Sequence, residues 1–291
     1  MIPEEIAKQI RLLEIRTTRM VDEISGGAYR SVFKGAGIEF EEVREYTPED
    51  DARTIDWNVS ARMGSPYVKK FVEERELNVR LLVDVSASGA FGSAAKSKRR
   101  TAAELAALIA FSAAGNHDKV SLMMFSDRIE LFVPPRSGRR HILRLIREML
   151  AFQVQSKGTD IGLALRESAK LLKKSSVVFL ISDLMDEKDF STALKQLNRR
   201  HDVIAVQIYD PAERNWQGES SVVVEDAETG ELLVFDNARK KDLLSEMQAG
   251  SDAASSLCRS ARVDRVEIES GSDVLTPLIK FFALRNSRKR H

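Results

Sequence analysis

Ile6, Ile10, Leu13, Met20 and Ile24 recur at steps that keep one face of a helix, with charged residues between them. With Pro3 ahead of them and Ser25-Gly26-Gly27 behind, they predict an amphipathic N-terminal helix. From Tyr29 to about Glu74 the periodicity weakens. Glycines at 35, 37 and 64 and prolines at 48 and 66 bound short extended stretches around Ile38-Glu39-Phe40 and Tyr67-Val68-Lys69, which predicts strands and ordered loop.

After residue 76 apolar runs alternate with amphipathic stretches. Residues 77–84 read as a strand that turns wholly apolar at Leu81, Leu82 and Val83, as expected in a parallel sheet covered on both faces. An alanine-rich helix at 101–114 follows, then strands at 120–125 and 129–133. A helix at 139–150 carries Ile142, Leu145, Ile146 and Met149 on one side. The alternation continues with a helix at 160–174, an apolar strand at 177–181, a helix at 189–200 and a strand at 203–208. A helix from about Ala238, a strand at 263–268 and a helix at 274–284 complete it, and the basic tail 285–291 is expected to be solvated or frayed. Strands spaced by helices imply right-handed crossovers and an α/β fold with a doubly wound, mostly parallel sheet. Val222-Val223-Val224 and Leu232-Leu233-Val234-Phe235, either side of a turn ending in Gly230, predict a hairpin insertion near 221–236. This hairpin is expected to join the N-terminal strands in a small accessory sheet. The domain plan is thus a helix and β-rich segment at 1–75 and an α/β domain at 76–291.

Composition narrows the class. At 43 % hydrophobic and 31 % charged residues the chain is globular rather than disordered, and its length is enough for a sizeable core. Forty-five Lys plus Arg against forty-four Asp plus Glu leave a net charge of +1, so no global field draws it to nucleic acid or anionic lipid. A single cysteine, Cys258, excludes an internal disulfide framework and a four-thiolate zinc site, and fits a reducing compartment. The charged N-terminus does not read as a signal peptide, and no apolar run reaches the roughly 18 to 20 residues of a membrane span. A soluble, cytoplasmic protein is the expectation.

In an open α/β sheet, ligands bind outside the carboxyl ends of the strands. Three of those loops carry small oxygen ligands. After the strand at 77–84 comes Asp84-Val85-Ser86-Ala87-Ser88, with side-chain oxygens at alternate positions that an extended segment can aim the same way. After the strand at 177–181 comes Ser182-Asp183, and Gly158-Thr159-Asp160 opens a helix between them. Two carboxylates and three hydroxyls, without sulfur or imidazole, suit a hard divalent cation, Mg2+ or Mn2+. A set this poor in charge leaves the ion electrophilic, able to accept an acidic group from another molecule. The plainer alternative is that the serines and Thr159 cap helices while Asp183 satisfies a loop.

The arrangement resembles the metal-ion-dependent adhesion site of von Willebrand factor A-type domains. The flanking sequence narrows the resemblance: Gly37-Ile38-Glu39-Phe40, Val43-Arg44-Glu45-Tyr46, Asp50-Asp51, Arg53, Ile55-Asp56-Trp57, Ser60-Ala61-Arg62, Phe71 and Glu73-Glu74-Arg75 are similar to the signature of the bacterial and archaeal domain of unknown function 58 family. Phe125-Ser126-Asp127, Val133-Pro134-Pro135, Arg200-His201-Asp202-Val203 and Glu228-Thr229-Gly230-Glu231 extend it over most of the chain. The resemblance implies a von Willebrand A-like, Rossmann-type domain in which Asp84, Ser86, Ser88, Thr159 and Asp183 are the five metal positions. It also implies partnership with a MoxR-type AAA+ ATPase and that ATPase's client protein. Glu49 departs from the family, which more often has glycine before the Asp-Asp pair, and the membrane segments of some longer members are missing. Arg44, Arg53 and Arg62 among the acids of residues 39–56 read either as an ion-pair network docking the N-terminal segment or as a surface for the ATPase.

Other functions find less support. A magnesium-dependent phosphohydrolase is the enzymatic alternative, but Ser86 stands where aspartate-nucleophile phosphatases place a second aspartate. No lysine sits by obvious motif to clamp a phosphoryl group, and Ala95 spoils a phosphate-binding loop at residues 89–97. The four histidines are scattered, which leaves triad and zinc-hydrolase chemistry without residues. Arg136, Arg139, Arg140, His141, Arg144 and Arg147 crowd one helix without the interleaved aromatics of a nucleic-acid platform. The reading is a protein-interaction module that is not an enzyme, uses a divalent metal and binds no nucleic acid.

Overall fold

The computed structural model describes residues 12, 39–48, 50–72, 76–93, 96–154, 156, 158–215, 222–225, 232–235 and 237–289. The predicted N-terminal helix, Glu49 and the turn at 226–231 fall outside them, apart from Leu12, which is helical. Two compact units are present, one within Phe33–Glu76 and one containing the described residues from Leu77 onward.

In the first unit, β1 (Glu39–Glu45) pairs antiparallel with β2 (Tyr67–Val72). Between them a helix, α1 (Trp57–Met63), stands where the pattern promised strand and loop. Asp56 caps its start by accepting from the Asn58 and Val59 N–H groups, and Gly64, at φ 79°, ends it in the left-handed region. The helix has no amphipathic period because its large apolar residues, Trp57 and Met63, are exposed, while its buried residue is Ser60. Of the expected ion-pair network, the described residues show Arg44 gripping Asp50 through two contacts of 2.6 and 2.9 Å, with Arg53 and Arg62 exposed.

The second unit is built on six strands: β3 (Asn78–Asp84), β4 (Lys119–Phe125), β5 (Ile129–Arg136), β6 (Val177–Ser182), β7 (Asp202–Tyr209) and β10 (Asp264–Glu269), in the order β10-β7-β6-β3-β4-β5. All neighbours are parallel except the β4–β5 hairpin. The order reverses between β3 and β6, which places a topological switch point at their carboxyl ends. The predicted doubly wound, mostly parallel α/β architecture is therefore the one observed. β8 (Val222–Glu225) and β9 (Leu232–Phe235) form a two-stranded sheet of their own, and β1–β2 form another, so the expected shared accessory sheet is not formed among the described residues.

Alternation along the strands sends side chains to two cores. Leu82, Met123, Val178 and Leu180 pack with residues of α4 (Ile161–Leu171), α5 (Ser191–Asn198) and α7 (Asn237–Ser260), including the buried Cys258. α2 (Lys98–Gly115) is buried along nearly its whole length and packs against α3 (Arg139–Ala151), which explains the alanine-rich, mostly apolar run from Leu105 onward. The helices at 160–174 and 189–200 are shorter than their patterns, and the tail is more ordered. α8 (Leu275–Lys289) takes in the described part of the basic tail, residues 285–289, and half-buried Arg285 pairs with Asp202 and, at 3.2 Å, with Asp264. Two acids at the neighbouring starts of β7 and β10 hold what composition alone assigned to solvent.

Arg80 in mid-β3 is 1 % exposed and has no carboxylate partner among the described residues. Its guanidinium donates to the Ser121 and Ser168 hydroxyls at 2.8 and 3.4 Å and lies 4.9 Å from the centre of the Phe132 ring. Burial pushes it down to about 10, still charged at neutral pH. At the opposite end of the sheet, fully buried Asp210 ties three loops together. It accepts from the Ser93 N–H and hydroxyl, from the Ser270 hydroxyl at 2.7 Å and from the Ala212 N–H that starts α6 (Pro211–Arg214). Burial alone would raise its carboxyl, but the Ser93 and Ser270 bonds outweigh it and hold Asp210 below the usual aspartate range.

Truncating buried Phe179 to alanine should cost about 3–5 kcal/mol in urea unfolding. Arg80→Met, which strands no opposite charge, should lie within about 1 kcal/mol of the parent or above it. Asp210→Asn should cost about 1–3 kcal/mol at pH 7. The carboxyl is held lower in the folded chain than in the unfolded one, so its contribution is present above about pH 4 and lost as pH falls through the folded value. The difference between parent and Asp210→Asn unfolding should therefore shrink in acid.

Candidate functional site

β3 and β6 run side by side in register, Val83 opposite Ile181, so Asp84 and Ser182 emerge at the same level. The Asp84 carboxylate is 9 % exposed and both its oxygens are engaged. Oδ1 accepts from the Ser86 N–H at 2.9 Å and Oδ2 from the Ser182 hydroxyl at 2.7 Å. Ser86 is fully buried, its hydroxyl 3.0 Å from that of Ser88 on the short 3-10 turn Ala87–Ala90. Arg99 clamps the loop from α2, donating to the Val85 and Ser86 carbonyls at 3.3 and 3.4 Å.

Asp183 follows β6. Its Oδ1 accepts from the Met185 N–H at 3.1 Å, and its main-chain carbonyl accepts from Gln207 Nε2 at 2.9 Å. Leu184, next in the chain, takes a positive φ of 60° although it is not glycine, the kind of local strain that gathers at functional loops. Its N–H is held by the Ser182 hydroxyl at 3.0 Å. Burial, and after it the nearby Asp183 carboxylate, push Asp84 up to about 6. The like charge of Asp183 at the same sheet edge thus adds to burial in disfavouring the ionised Asp84 carboxylate.

Thr159 precedes α4. Asp160 caps that helix by accepting from the Leu163 N–H, so the capping alternative holds for Asp160. Asp186 receives the Ile161 N–H at 2.8 Å and Lys188 reaches Asp160 at 2.9 Å, locking the loop after β6 onto the start of α4. Ser88, Thr159 and Asp183 line one cleft of about 980 Å3, with Met185, Met247 and Leu257 among its apolar walls. The Met185 side chain packs over Gly250 of α7, its methyl carbon 2.5 Å from where a Cβ would stand. Three of the five predicted residues therefore line the cleft, while Asp84 and Ser86 are buried at the ends of the same two strands.

Lys98 is the residue the pattern concealed. It opens α2, its side chain only 7 % exposed, and its ammonium lies 2.9 Å from Asp183 Oδ2 and 2.6 Å from Glu213 Oε1. Burial would strip its proton, but Asp183 and Glu213 outweigh that and hold it above the ordinary lysine range. A lysine does reach the carboxylates, then, although no motif announced it. Within Lys96-Ser97-Lys98-Arg99-Arg100 it looks like any solvated charge. At Gly92 a Cβ would fall 2.6 Å from Ser97 Cα, so a glycine there lets the loop fold back and start α2 where Lys98 can point inward. The basic face of α3 is partly engaged, with Arg144 and Arg147 at 3.7 and 3.5 Å from Glu148.

Among known proteins, an uncharacterized protein of Mycobacterium tuberculosis is 28 % identical over 285 residues, covering 97 % of this chain and 90 % of its own. Of solved structures, the conserved hypothetical protein BatB from Bacteroides thetaiotaomicron is 12 % identical with a TM-score of 0.47, over 72 % of this chain and 99 % of that one. The VWA domain of SpRpn10 is 14 % identical with a TM-score of 0.39, over 71 % of this chain and 95 % of that one. The family described as "Protein of unknown function DUF58" matches residues 42–253, most of the chain and both compact units. This protein belongs to that family.

Proposed function

We propose that the chain is a divalent-cation-dependent protein-interaction module that works with a MoxR-type AAA+ ATPase in remodelling or activating a client protein. The observation that carries this reading is that the parallel register of β3 and β6 brings Asp84 and Ser182-Asp183 to one sheet edge, where Ser88, Thr159 and Asp183 line the same cleft. An oxygen-only donor set of two carboxylates and three hydroxyls fits Mg2+ or Mn2+ rather than a soft or imidazole-preferring metal. Ser86, Ser88 and Thr159 would hold the ion directly, and Asp84 and Asp183 largely through water. When bound, the ion supplies an electrophilic point that accepts a carboxylate from a partner. Ser182 and the Ser86 N–H keep Asp84 oriented, Arg99 holds the loop that presents Ser86, and Gln207 with the Met185 N–H fixes Asp183.

The same geometry weighs against the phosphohydrolase alternative. An aspartate nucleophile needs a free oxygen facing substrate, and both oxygens of Asp84 are occupied in a 9 % exposed position. The partner reading rests on the family resemblance. No helix among the described residues is long and apolar enough to cross a membrane.

Titration calorimetry with Mn2+ should give one site per chain, and Asp183→Ala should weaken it by at least about tenfold. Pull-downs from native extract should retain a MoxR-type ATPase in Mg2+ and lose it in EDTA or on Asp84→Ala. Equal recovery in EDTA would move the interface away from the cleft.

A further inference from the structure

Lys98 stands in the place where an added cation is needed. Asp84, Asp183 and Glu213 lie at the cleft end of the sheet with Lys98 and Arg99 beside them, and Asp127, Asp186, Lys188 and Arg214 also line the cleft. Arg99 reaches backbone carbonyls beside Asp84 at 3.3 and 3.4 Å through one nitrogen, whereas Lys98 bridges Asp183 and Glu213 directly. Glu213 is a fixed partner because its other oxygen accepts the Asp210 N–H at 2.9 Å in the capping box of α6. The lysine stem is long and flexible, and its head is a compact point charge. It can leave one acid without leaving the other.

We propose that Lys98 is a resident counter-cation of this site. In the metal-free protein it neutralises Asp183, and a divalent ion gains Asp183 only by driving the ammonium onto Glu213. The inference rests on the metal reading above and adds a competitor to it. Two cations held at one buried carboxylate repel each other strongly at short range. Lys98 therefore sets the ion concentration at which the cleft loads, and it keeps Asp183 compensated until then.

Mn2+ titration of the full chain, with thermal melts in EDTA and in Mn2+, tests this. Lys98→Met should bind Mn2+ at least about tenfold more tightly, melt earlier than the parent in EDTA and regain the loss in Mn2+. Glu213→Gln keeps an oxygen for the Asp210 N–H but leaves the ammonium only Asp183, so Mn2+ binding should weaken several-fold. That weakening should persist in about 0.5 M salt and vanish in the Lys98→Met background. Unchanged or weaker binding by Lys98→Met overturns the proposal. So does a Glu213→Gln effect of the same size in both backgrounds. If Lys98→Met fails to fold, Glu213→Gln decides alone: unchanged or tighter binding, or an effect erased by salt, overturns the proposal. Absence of Mn2+ binding in the parent removes the metal reading as well, whereas normal binding in the parent with unresponsive variants removes only the role of Lys98.

Discussion

Two carboxylates carried to one point by parallel strands repel each other, and burial removes the water that would screen them. Asp84 and Asp183 are in that position because β3 and β6 are neighbours in register at the reversal of strand order. Much of the surrounding polar structure answers this constraint. Ser182 and the Ser86 N–H bond Asp84, the Met185 N–H and Lys98 bond Asp183, and Gln207 donates to the Asp183 main-chain carbonyl. An apolar sheet alone would not need any of these contacts.

The answer draws on elements far apart in sequence. Lys98 and Arg99 come from the first turn of α2, Glu213 from α6 after β7, and Asp186 from the loop that seats α4. Asp210 binds the loops after β3, β7 and β10 into one platform, so the position of Lys98 depends on bonds formed beyond the cleft. The sheet end is in this sense a single hydrogen-bonded unit, in which loss of one anchor is felt by several loops.

Arg80 shows the opposite solution to a buried charge. With hydroxyls and an aromatic face as partners, it is tolerated within the sheet. The acids at the sheet end are not neutralised so completely: Lys98 must serve two of them, and Asp84 is left elevated. The contrast separates a charge the fold has absorbed from charges it leaves short of a counter-ion.

The sequence by itself determined the strands and helices of the α/β unit, because alternating apolar runs and 3.6-residue stripes are local and survive any packing. It also determined that Asp84, Ser86, Ser88, Thr159 and Asp183 follow strands or open helices, since these loops are short. It did not disclose α1, whose apolar residues are exposed and whose only local marks are Asp56 and Gly64 at its ends. Nor did it disclose the ordered tail, since Arg285 is held by Asp202 and Asp264 from two different strands. Only the tertiary structure decided that Lys98 reaches Asp183 and Glu213, while in the same basic run Lys96 pairs with Glu104 and Arg99 with the Val85 and Ser86 carbonyls. Composition reports how many charges a segment carries, but their partners are set by contacts across 85 and 115 residues of chain.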